Sequence, residues 1–325
     1  MPPLSSELSS ARVVIGIDLG GTKIRAAIAR DDETVVLAEV VQPTTSDGGE
    51  ALVRQLADIV RGLADDCQLE VSDLAAIGVG SPGVVDGIGH FHLSSNISGL
   101  SDVPLATALS DLLDVRVVVD NDVNAAARGE LWQGVAQGCS SFAVLSVGTG
   151  IGLGVVINGQ LLRGARGAAG EIAYLPLGID PTSHQARRSG SLEISAAAGG
   201  MRRAVADSLA LGRTSVLTSS CDVPEIFAAA ESGDAVALDV LDGEARLLAE
   251  ALLSVAVLID PEIIVLTGGI GSEPALIERV TLQLDRMAPH PITVLRSSLG
   301  HRCGVVGAIA IALSAHRTTE IKEFS

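Results

Sequence analysis

Two segments of the chain repeat one pattern, in which an apolar strand reaches a turn of glycine and threonine and a second apolar strand follows. The first turn is Gly20-Gly21-Thr22-Lys23, between strands that run from Val13 to Ala29, and the second is Gly148-Thr149-Gly150, between Phe142 and Ile157. Such a turn exposes backbone N–H groups and a hydroxyl, which bind phosphate. The repetition predicts a duplicated α/β fold whose two turns face each other across a cleft and hold the phosphates of a nucleotide.

The chain has 325 residues, of which 47% are hydrophobic and only 2% are aromatic. It is therefore long enough for two domains with cores of Ala, Val, Leu and Ile. A formal net charge of −17 disfavours binding to nucleic acid or to an anionic membrane surface. The four cysteines are scattered and form no CxxC pair, which predicts free thiols. The sequence shows no apolar leader and no long apolar run, so we expect a soluble cytoplasmic protein.

Hydrophobic spacing predicts an antiparallel three-stranded meander in each half, followed by alternating helices and strands. Strands are expected near 12–18, 24–30, 34–41, 75–79 and 116–119, a short helix at 125–131, loops over 160–195 and helices over 196–258. The predicted division is a disordered arm at 1–10, an N-terminal α/β domain at 11–122 and a C-terminal α/β domain at 123–302. A C-terminal helix at about 303–316 is expected to pack back onto the first domain.

The first turn also carries a carboxylate, Asp18, two residues before Gly20. Glycines let a backbone approach phosphate without a Cβ clash, Thr22 adds a donor and Lys23 a positive charge. Asp18 is a candidate ligand of phosphate-bound Mg²⁺, directly or through water. An ordinary hairpin turn explains these residues equally well in isolation, and the second copy favours phosphate binding. The turn is not a P-loop, because a strand follows it.

Two further glycine turns follow apolar strands. Gly78 to Gly83 matches a dinucleotide-binding pattern, but Pro82 and the glycine-broken stretch after it do not open a helix. We interpret Gly83 instead as part of a turn that offers backbone groups to a substrate. Gly268 and Gly269 end another strand, where a flat adenine or ribose can lie on the backbone. A plain turn is equally compatible with that second pattern.

Three carboxylates are candidates for contact with a substrate. Asp122 follows a buried strand, where it can accept a proton from an attacking hydroxyl. A helix N-cap by Asp122 or Asn124 is the alternative, and both interpretations hold if Asn124 is the cap. Glu171 and Glu193 lie in a polar segment and suit vicinal sugar hydroxyls, although solvated surface acids would give the same pattern.

Together, these motifs resemble the ROK family of bacterial sugar kinases and sugar-responsive repressors from Ile15 to about Ala315. The resemblance implies the actin-like, ribonuclease H-like ATPase fold, ATP and Mg²⁺ as cofactors, and a homodimer or homotetramer. It implies that Asp122 is the catalytic base and that Leu266 to Gly269 bind adenosine. The implied sugar contacts are Gly83, Asn96, Asn121, Asp122, Glu171, Tyr174 and Glu193.

One departure from the family pattern concerns zinc. Kinases of the family usually show Glu-x-Gly-His followed by a cysteine-rich zinc loop, whereas this chain has Glu171-Ile172-Ala173-Tyr174 and no cysteine up to Glu193. We therefore predict no structural zinc, and expect the loop to be held by other contacts or to be mobile. Tyr174 replaces a histidine with a bulkier ring whose hydroxyl both donates and accepts.

The sequence thus predicts an ATP-dependent sugar kinase that acts on a hexose or N-acetylhexosamine, at the C6 hydroxyl. The alternative is a catalytically weak sugar-sensing regulatory protein of the same family, which the lost zinc motif favours and the intact Asp122 disfavours. A polyphosphate-dependent kinase would need a basic track, and the sequence shows no run of Lys and Arg for one.

Overall fold

A computed structural model describes residues 13–30, 35–85, 91–92, 97 and 99–323. Contacts divide the chain into two compact units. Unit 1 comprises Met1–Gln137, Arg163–Ala169 and Arg302–Ser325, and unit 2 comprises Gly138–Leu162 and Gly170–His301. Unit 1 extends beyond the predicted boundary at residue 122, because it also contains the helix that follows this residue and the segment Arg163–Ala169. The predicted arm at 1–10 lies outside the described residues.

Unit 1 is built on a five-stranded sheet of order β3-β2-β1-β4-β7, in which β1, β2 and β3 form the antiparallel meander and β4 and β7 run parallel to β1. Its elements are β1 (Val13–Leu19), β2 (Lys23–Arg30), β3 (Val36–Pro43), α1 (Gly49–Asp66), β4 (Leu74–Ser81), β5 (Val84–Val85), β6 (Phe91–His92), α2 (Leu105–Leu113), β7 (Val117–Asn121), α3 (Asp122–Gln133) and the C-terminal α11 (Cys303–Glu323).

Unit 2 repeats this topology in a sheet of order β10-β9-β8-β11-β12. Its elements are β8 (Phe142–Val147), β9 (Ile151–Ile157), β10 (Gln160–Leu161), α4 (His184–Ser189), α5 (Ser191–Ala196), α6 (Ala198–Ala210), α7 (Val223–Glu231), α8 (Ala235–Ile259), β11 (Ile263–Thr267), α9 (Gly268–Gly271), α10 (Pro274–Met287) and β12 (Val294–Arg296). Two sheets with the same strand order confirm the predicted duplication.

Glycines allow α11 to lie directly on the sheet of unit 1. A Cβ on Gly78 of β4 would be 2.0 Å from the carbonyl oxygen of Ala308, and a Cβ on Gly16 of β1 would be 2.6 Å from a side-chain carbon of Ile309. The helix is apolar and alanine-rich over this stretch, so small surfaces meet on both sides. The opposite face of β1 buries Ile15 and Ile17 in the core of the unit.

Helix α3 packs against α11 through a second pair of glycines. A Cβ on Gly307 would lie 1.8 Å from the carbonyl oxygen of Ala125, and a Cβ on Gly129 would lie 2.9 Å from the backbone nitrogen of Gly307. This close crossing is why α3 belongs to unit 1. The sequence pattern does not predict this contact, because the two helices are far apart in sequence.

Several elements differ from the sequence expectation. The sequence predicts loops over 160–195, but this segment contains α4 and α5, so Glu193 lies on a helix. The third strand of the second meander, β10, has only two residues. Asn158 and Gly159, between β9 and β10, both have positive φ, as a two-residue hairpin turn of type I′ requires. Among the described residues, no helix is both long and apolar enough to cross a membrane.

A buried carboxyl in unit 2 makes stability depend on pH. Glu244 of α8 is 3% exposed, its Oε1 has no hydrogen-bond partner, and burial raises its pKa well above the ordinary value. A carboxyl group whose pKa is raised on folding does not lower the free energy of unfolding at pH values below its unfolded pKa. It lowers that free energy increasingly as the pH rises towards and through its folded pKa. We therefore expect Glu244→Gln to raise the free energy of unfolding at pH 8 relative to wild type, because glutamine brings no charge into the buried position.

Urea denaturation at pH 5 and pH 8 measures this effect. The gain should shrink at pH 5, where the wild-type carboxyl is protonated more fully. Glu250→Gln, on the same helix but paired with Arg246 at 3.8 Å, is the matched control and should change little. Equal gains at both pH values would contradict the prediction.

Candidate active site

The carboxyl ends of three parallel strands in unit 1 bring the predicted acidic residues together. The register pairs Asp18 of β1 with Gly80 of β4, and Gly80 with Asp120 of β7. Neighbouring strands lie about 4.8 Å apart, so Asp18 and Asp120 stand roughly 10 Å apart across one row. Asp122 follows two residues after Asp120. This edge of a parallel α/β sheet is where ligands commonly bind.

Asp18 and Asp122 interact as like charges. Both are partly accessible to solvent. The pKa of Asp18 is raised to about 6, chiefly by burial and then by the negative charge of Asp122, while the positive charges of Arg25 and Lys23 oppose the rise. Burial also raises the pKa of Asp122, against a hydrogen bond that its carboxylate accepts from the N–H of Val123 at 2.9 Å.

This pair fits a divalent cation. Two recessed carboxylates that repel each other are stabilised by a hard cation with oxygen ligands, which is the preference of Mg²⁺. Gly304 of α11 lies against Asp18, where a Cβ would be 2.5 Å from the carboxyl carbon. Glycine at position 304 therefore leaves room for the carboxyl group of Asp18, which any larger side chain would displace.

Helix α3 begins at Asp122, and its N-cap is Asn121. The Oδ1 atom of Asn121 accepts hydrogen bonds from the N–H groups of Val123 at 2.9 Å and Asn124 at 3.2 Å, and its Nδ2 donates to the carbonyl of Gly83 at 3.0 Å. The expectation that Asp122 or Asn124 caps the helix was wrong. Strand β7 continues to Asn121, which pairs with Ser81 of β4, so no loop separates strand from helix.

Gly80 also permits this start of the helix, since a Cβ there would lie 2.9 Å from the Cβ of Ala125. Asp122 thus occupies the first turn of α3, where a negative charge is favourable.

The first glycine turn is exposed from Gly21 to Lys23. It closes through a hydrogen bond from the N–H of Gly20 to the carbonyl of Lys23 at 3.0 Å. Thr44, after β3, donates its hydroxyl to the carbonyl of Gly20 at 2.7 Å, and its N–H donates to the carbonyl of Thr22 at 3.1 Å. The turn is therefore held from its outer side by the third strand of the meander.

In unit 2 the second turn and the strand-end glycines line one cavity of about 470 Å³. Gly148, Thr149 and Gly269 contribute to its wall, as do Val223, Pro224 and Phe227 of α7. The sequence did not single out α7, because an apolar helix face reads as core. Gly268 lies beside this wall with φ +87°, and a Cβ there would be 2.4 Å from the carbonyl oxygen of Val147. Glycine is therefore required at that position.

Glu193 is tied to the second turn. Its Oε2 accepts a hydrogen bond from the N–H of Ile151 at 3.1 Å, and a Cβ on Gly150 would lie 2.7 Å from the same oxygen. Burial raises the pKa of Glu193. The pKa of Tyr174 is raised by burial and then by the negative charges of Glu171 and Glu193. The structure thus brings these three predicted sugar residues into one neighbourhood.

The segment between Tyr174 and Glu193 is held by hydrogen bonds. The hydroxyl of Tyr174 donates to the carbonyl of Arg188 at 3.3 Å, and Ser183 caps α4 by accepting from Ala186 at 3.2 Å. Ser195 Oγ accepts from the N–H of Ile179 at 3.1 Å. In the part of the chain that the structure describes, no group of three or more His, Cys, Asp or Glu side chains is arranged to hold a metal. The absence of zinc stays a prediction.

Sequence reasoning missed the partner of Asp120. The carboxylate of Asp120 is 1% exposed and receives two hydrogen bonds from Arg163, at 2.9 and 2.5 Å. Arg163 belongs to a glycine- and arginine-rich stretch in which nothing distinguishes one arginine from another. Of the predicted sugar contacts, Asn96 lies outside the described residues.

The repeated sheet and the carboxylates at its strand ends define the class, which is the duplicated ribonuclease H-like, actin-like ATPase fold that the sequence predicts. Residues 14–315 match the model of the ROK family. The glucokinase of Halalkalibacterium halodurans is 34% identical over 271 residues, covering 80% of this chain and 81% of that enzyme. The chain belongs to the ROK family.

Two solved structures share the fold over almost the whole chain. The ROK hexokinase of Thermus thermophilus has a TM-score of 0.78 at 32% identity, covering 96% of this chain and 99% of that one. A ROK glucokinase from Streptomyces griseus, in complex with glucose and AMPPNP, has a TM-score of 0.76 at 29% identity, covering 93% of this chain and 99% of that one.

Proposed function

We propose that this protein is a sugar kinase that transfers the γ-phosphoryl group of ATP to the C6 hydroxyl of a hexose or N-acetylhexosamine. The observation that carries the proposal is the Asp18 and Asp122 pair at the carboxyl ends of the strands, with a glycine turn beside Asp18. The similarity to glucokinases, one of them solved with glucose and AMPPNP, supports sugar and ATP as the substrates.

In this proposal Asp122 is the general base. It accepts the proton of the sugar hydroxyl as the oxygen attacks phosphorus, and a pKa raised by burial makes the carboxylate a better base near neutral pH. Asp18 holds Mg²⁺, which, when bound, neutralises charge on the phosphates. Because phosphoryl transfer depends on positioning and charge, the remaining residues act by orienting the two substrates.

We assign phosphate contacts to both turns, and adenosine to Gly268, Gly269 and the cavity of unit 2, whose apolar wall at Phe227 suits a purine ring. The sugar contacts are Gly83, Asn96, Asn121, Glu171, Tyr174 and Glu193. The reaction takes place in the cytoplasm in this proposal, which suits four free cysteines, and the protein acts as a homodimer or homotetramer.

A coupled assay for ADP release tests the proposal. The panel contains glucose, mannose, N-acetylglucosamine and N-acetylmannosamine with ATP and Mg²⁺, and 6-deoxyglucose as the matched control without the attacking hydroxyl. We expect ADP to form with at least one sugar and not with 6-deoxyglucose. Equal ADP release with the deoxy sugar would overturn phosphorylation at C6, and no release with any sugar would overturn the kinase.

The second candidate is a sugar-sensing regulatory protein with little turnover. The observation that favours it is Tyr174, a residue that is 41% exposed and lies near Glu171 and Glu193, where the family pattern has histidine. Calorimetry with the same sugars distinguishes the two functions. Tight sugar binding without ADP release would favour the sensor.

A further inference from the structure

The seven-residue segment Arg163–Ala169, here called the strap, groups with unit 1 although β10 before it and Gly170 after it belong to unit 2. It turns back on itself through a hydrogen bond from the N–H of Ala169 to the carbonyl of Arg163 at 3.1 Å. Gly167 has φ +74°, and a Cβ there would lie 2.5 Å from the carbonyl oxygen of Val85. The strap therefore packs closely against the rest of unit 1, and this contact fixes the position of the backbone of Arg163.

Arg163 binds Asp120 as a fork. Nη1 donates to Oδ1 at 2.9 Å and Nη2 donates to Oδ2 at 2.5 Å. The side chain of Asp120 is 1% exposed and that of Arg163 is 45% exposed, so the carboxylate is buried and its counterion is reached by solvent. Removing one partner of a buried pair leaves an uncompensated charge, which is strongly unfavourable.

Asp120 passes this constraint to the residues around the proposed base. Its Oδ1 also accepts hydrogen bonds from the N–H of Asn121 at 2.9 Å and from Nδ2 of Asn124 at 3.1 Å. Asn121 in turn caps α3, whose first residue is Asp122. The side chains of Arg163, Asp120 and Asn124, together with the backbone N–H of Asn121, thus form one connected path from Arg163 to the start of the helix that carries Asp122.

We propose that Arg163 is a positioning residue for Asp122, acting through Asp120 and the cap of α3. The inference rests on the proposed kinase function. Arg163 touches no reacting atom in this scheme. Its role is to hold the strand-to-helix junction in the one geometry that places the base.

Arg163→Ala tests the proposal. We expect kcat for the best sugar of the panel to fall about 100-fold, the usual cost of a misplacement of about 1 Å, while KM for the sugar changes far less. Because the arginine side chain is half exposed, methylguanidinium added to the variant should restore part of kcat. Methylammonium should restore less, since it lacks the planar fork. Arg166→Ala, an exposed arginine of the same strap, is the matched control and should keep wild-type kinetics.

Two further measurements separate the possible outcomes. If Asp120 carries the effect, the double variant Arg163→Ala with Asp120→Asn should lose no more than the worse single variant. Hydrogen exchange at the amides of Val123 and Asn124 should quicken in Arg163→Ala but not in Arg166→Ala, and this readout needs no turnover. Unchanged kcat, or a loss that methylguanidinium does not restore in a variant with a wild-type melting temperature, would overturn the inference. An inactive wild type with the predicted exchange difference would overturn the kinase function but not the positioning path.

Discussion

Replacing Asp122 by asparagine is expected to lower kcat by about 10²–10⁴-fold or more, the usual contribution of a positioned general base. Asparagine keeps the size of the side chain and an oxygen that accepts from the N–H of Val123, so the first turn of α3 should persist. The amide cannot take a proton from the sugar hydroxyl. The initial rate of ADP formation measures the loss, and calorimetry should show that the variant still binds the sugar.

The control for this prediction is Asp111→Asn, which changes the same functional group on an exposed position of α2 in the same unit. It should leave both the rate and the melting temperature unchanged. If Asp122→Asn kept a rate close to that of the wild type, the proton acceptor would have to be another group. If Asp122→Asn lost sugar binding together with the rate, the loss of rate would be explained by a lost sugar contact and would not support Asp122 as the general base.

The part of the fold that sequence predicted well is the part encoded in local periodicity. Apolar runs on either side of Gly20 and Gly148 predicted two meanders, and the structure confirms both. A strand that ends in a glycine turn carries its signal within about ten residues. Such patterns need no knowledge of a distant partner.

The sequence did not predict features that depend on contacts between residues far apart in the chain. The helix cap is one example, since the run from Asp120 to Asn124 contains several residues that cap helices well. Pairing of Asn121 with Ser81 decided the outcome, because it extended β7 and placed the helix start at Asp122. The ion pair of Asp120 with Arg163 spans 43 positions in sequence, so neither residue carries a local mark of the other.

The cavity in unit 2 was half predictable. Its glycines and Thr149 stand out, because glycine after a strand signals a close approach of backbone. Phe227 does not, since an aromatic residue on an amphipathic helix is most often part of the core. The contact between α3 and α11 was not predicted for a related reason. Gly307 lies in a helix, where the sequence alone indicates only that glycine lowers the helix propensity.

That glycine supports the second large prediction. Gly307→Ala is expected to lower the free energy of unfolding by about 3 kcal/mol, at the upper end of overpacking effects, although alanine normally stabilises a helix interior. The reason is the crossing of α11 with α3, where the new methyl carbon would lie 1.8 Å from the carbonyl oxygen of Ala125. Since no real contact is so short, α3 must move away, and Asp122 moves with it. Urea denaturation measures the stability, and kcat of the folded variant should fall with KM for ATP nearly unchanged.

Gly243→Ala is the matched control, because Gly243 lies inside α8 and a Cβ there meets nothing within 4 Å. It should raise stability by about 0.5–1 kcal/mol, the ordinary gain of alanine over glycine in a helix. The opposite signs of the two variants separate helix propensity from the cost of the crossing. Should Gly307→Ala also gain stability, the two helices would have to lie farther apart than the structure places them, and the close contact that holds α3 against α11 would be lost.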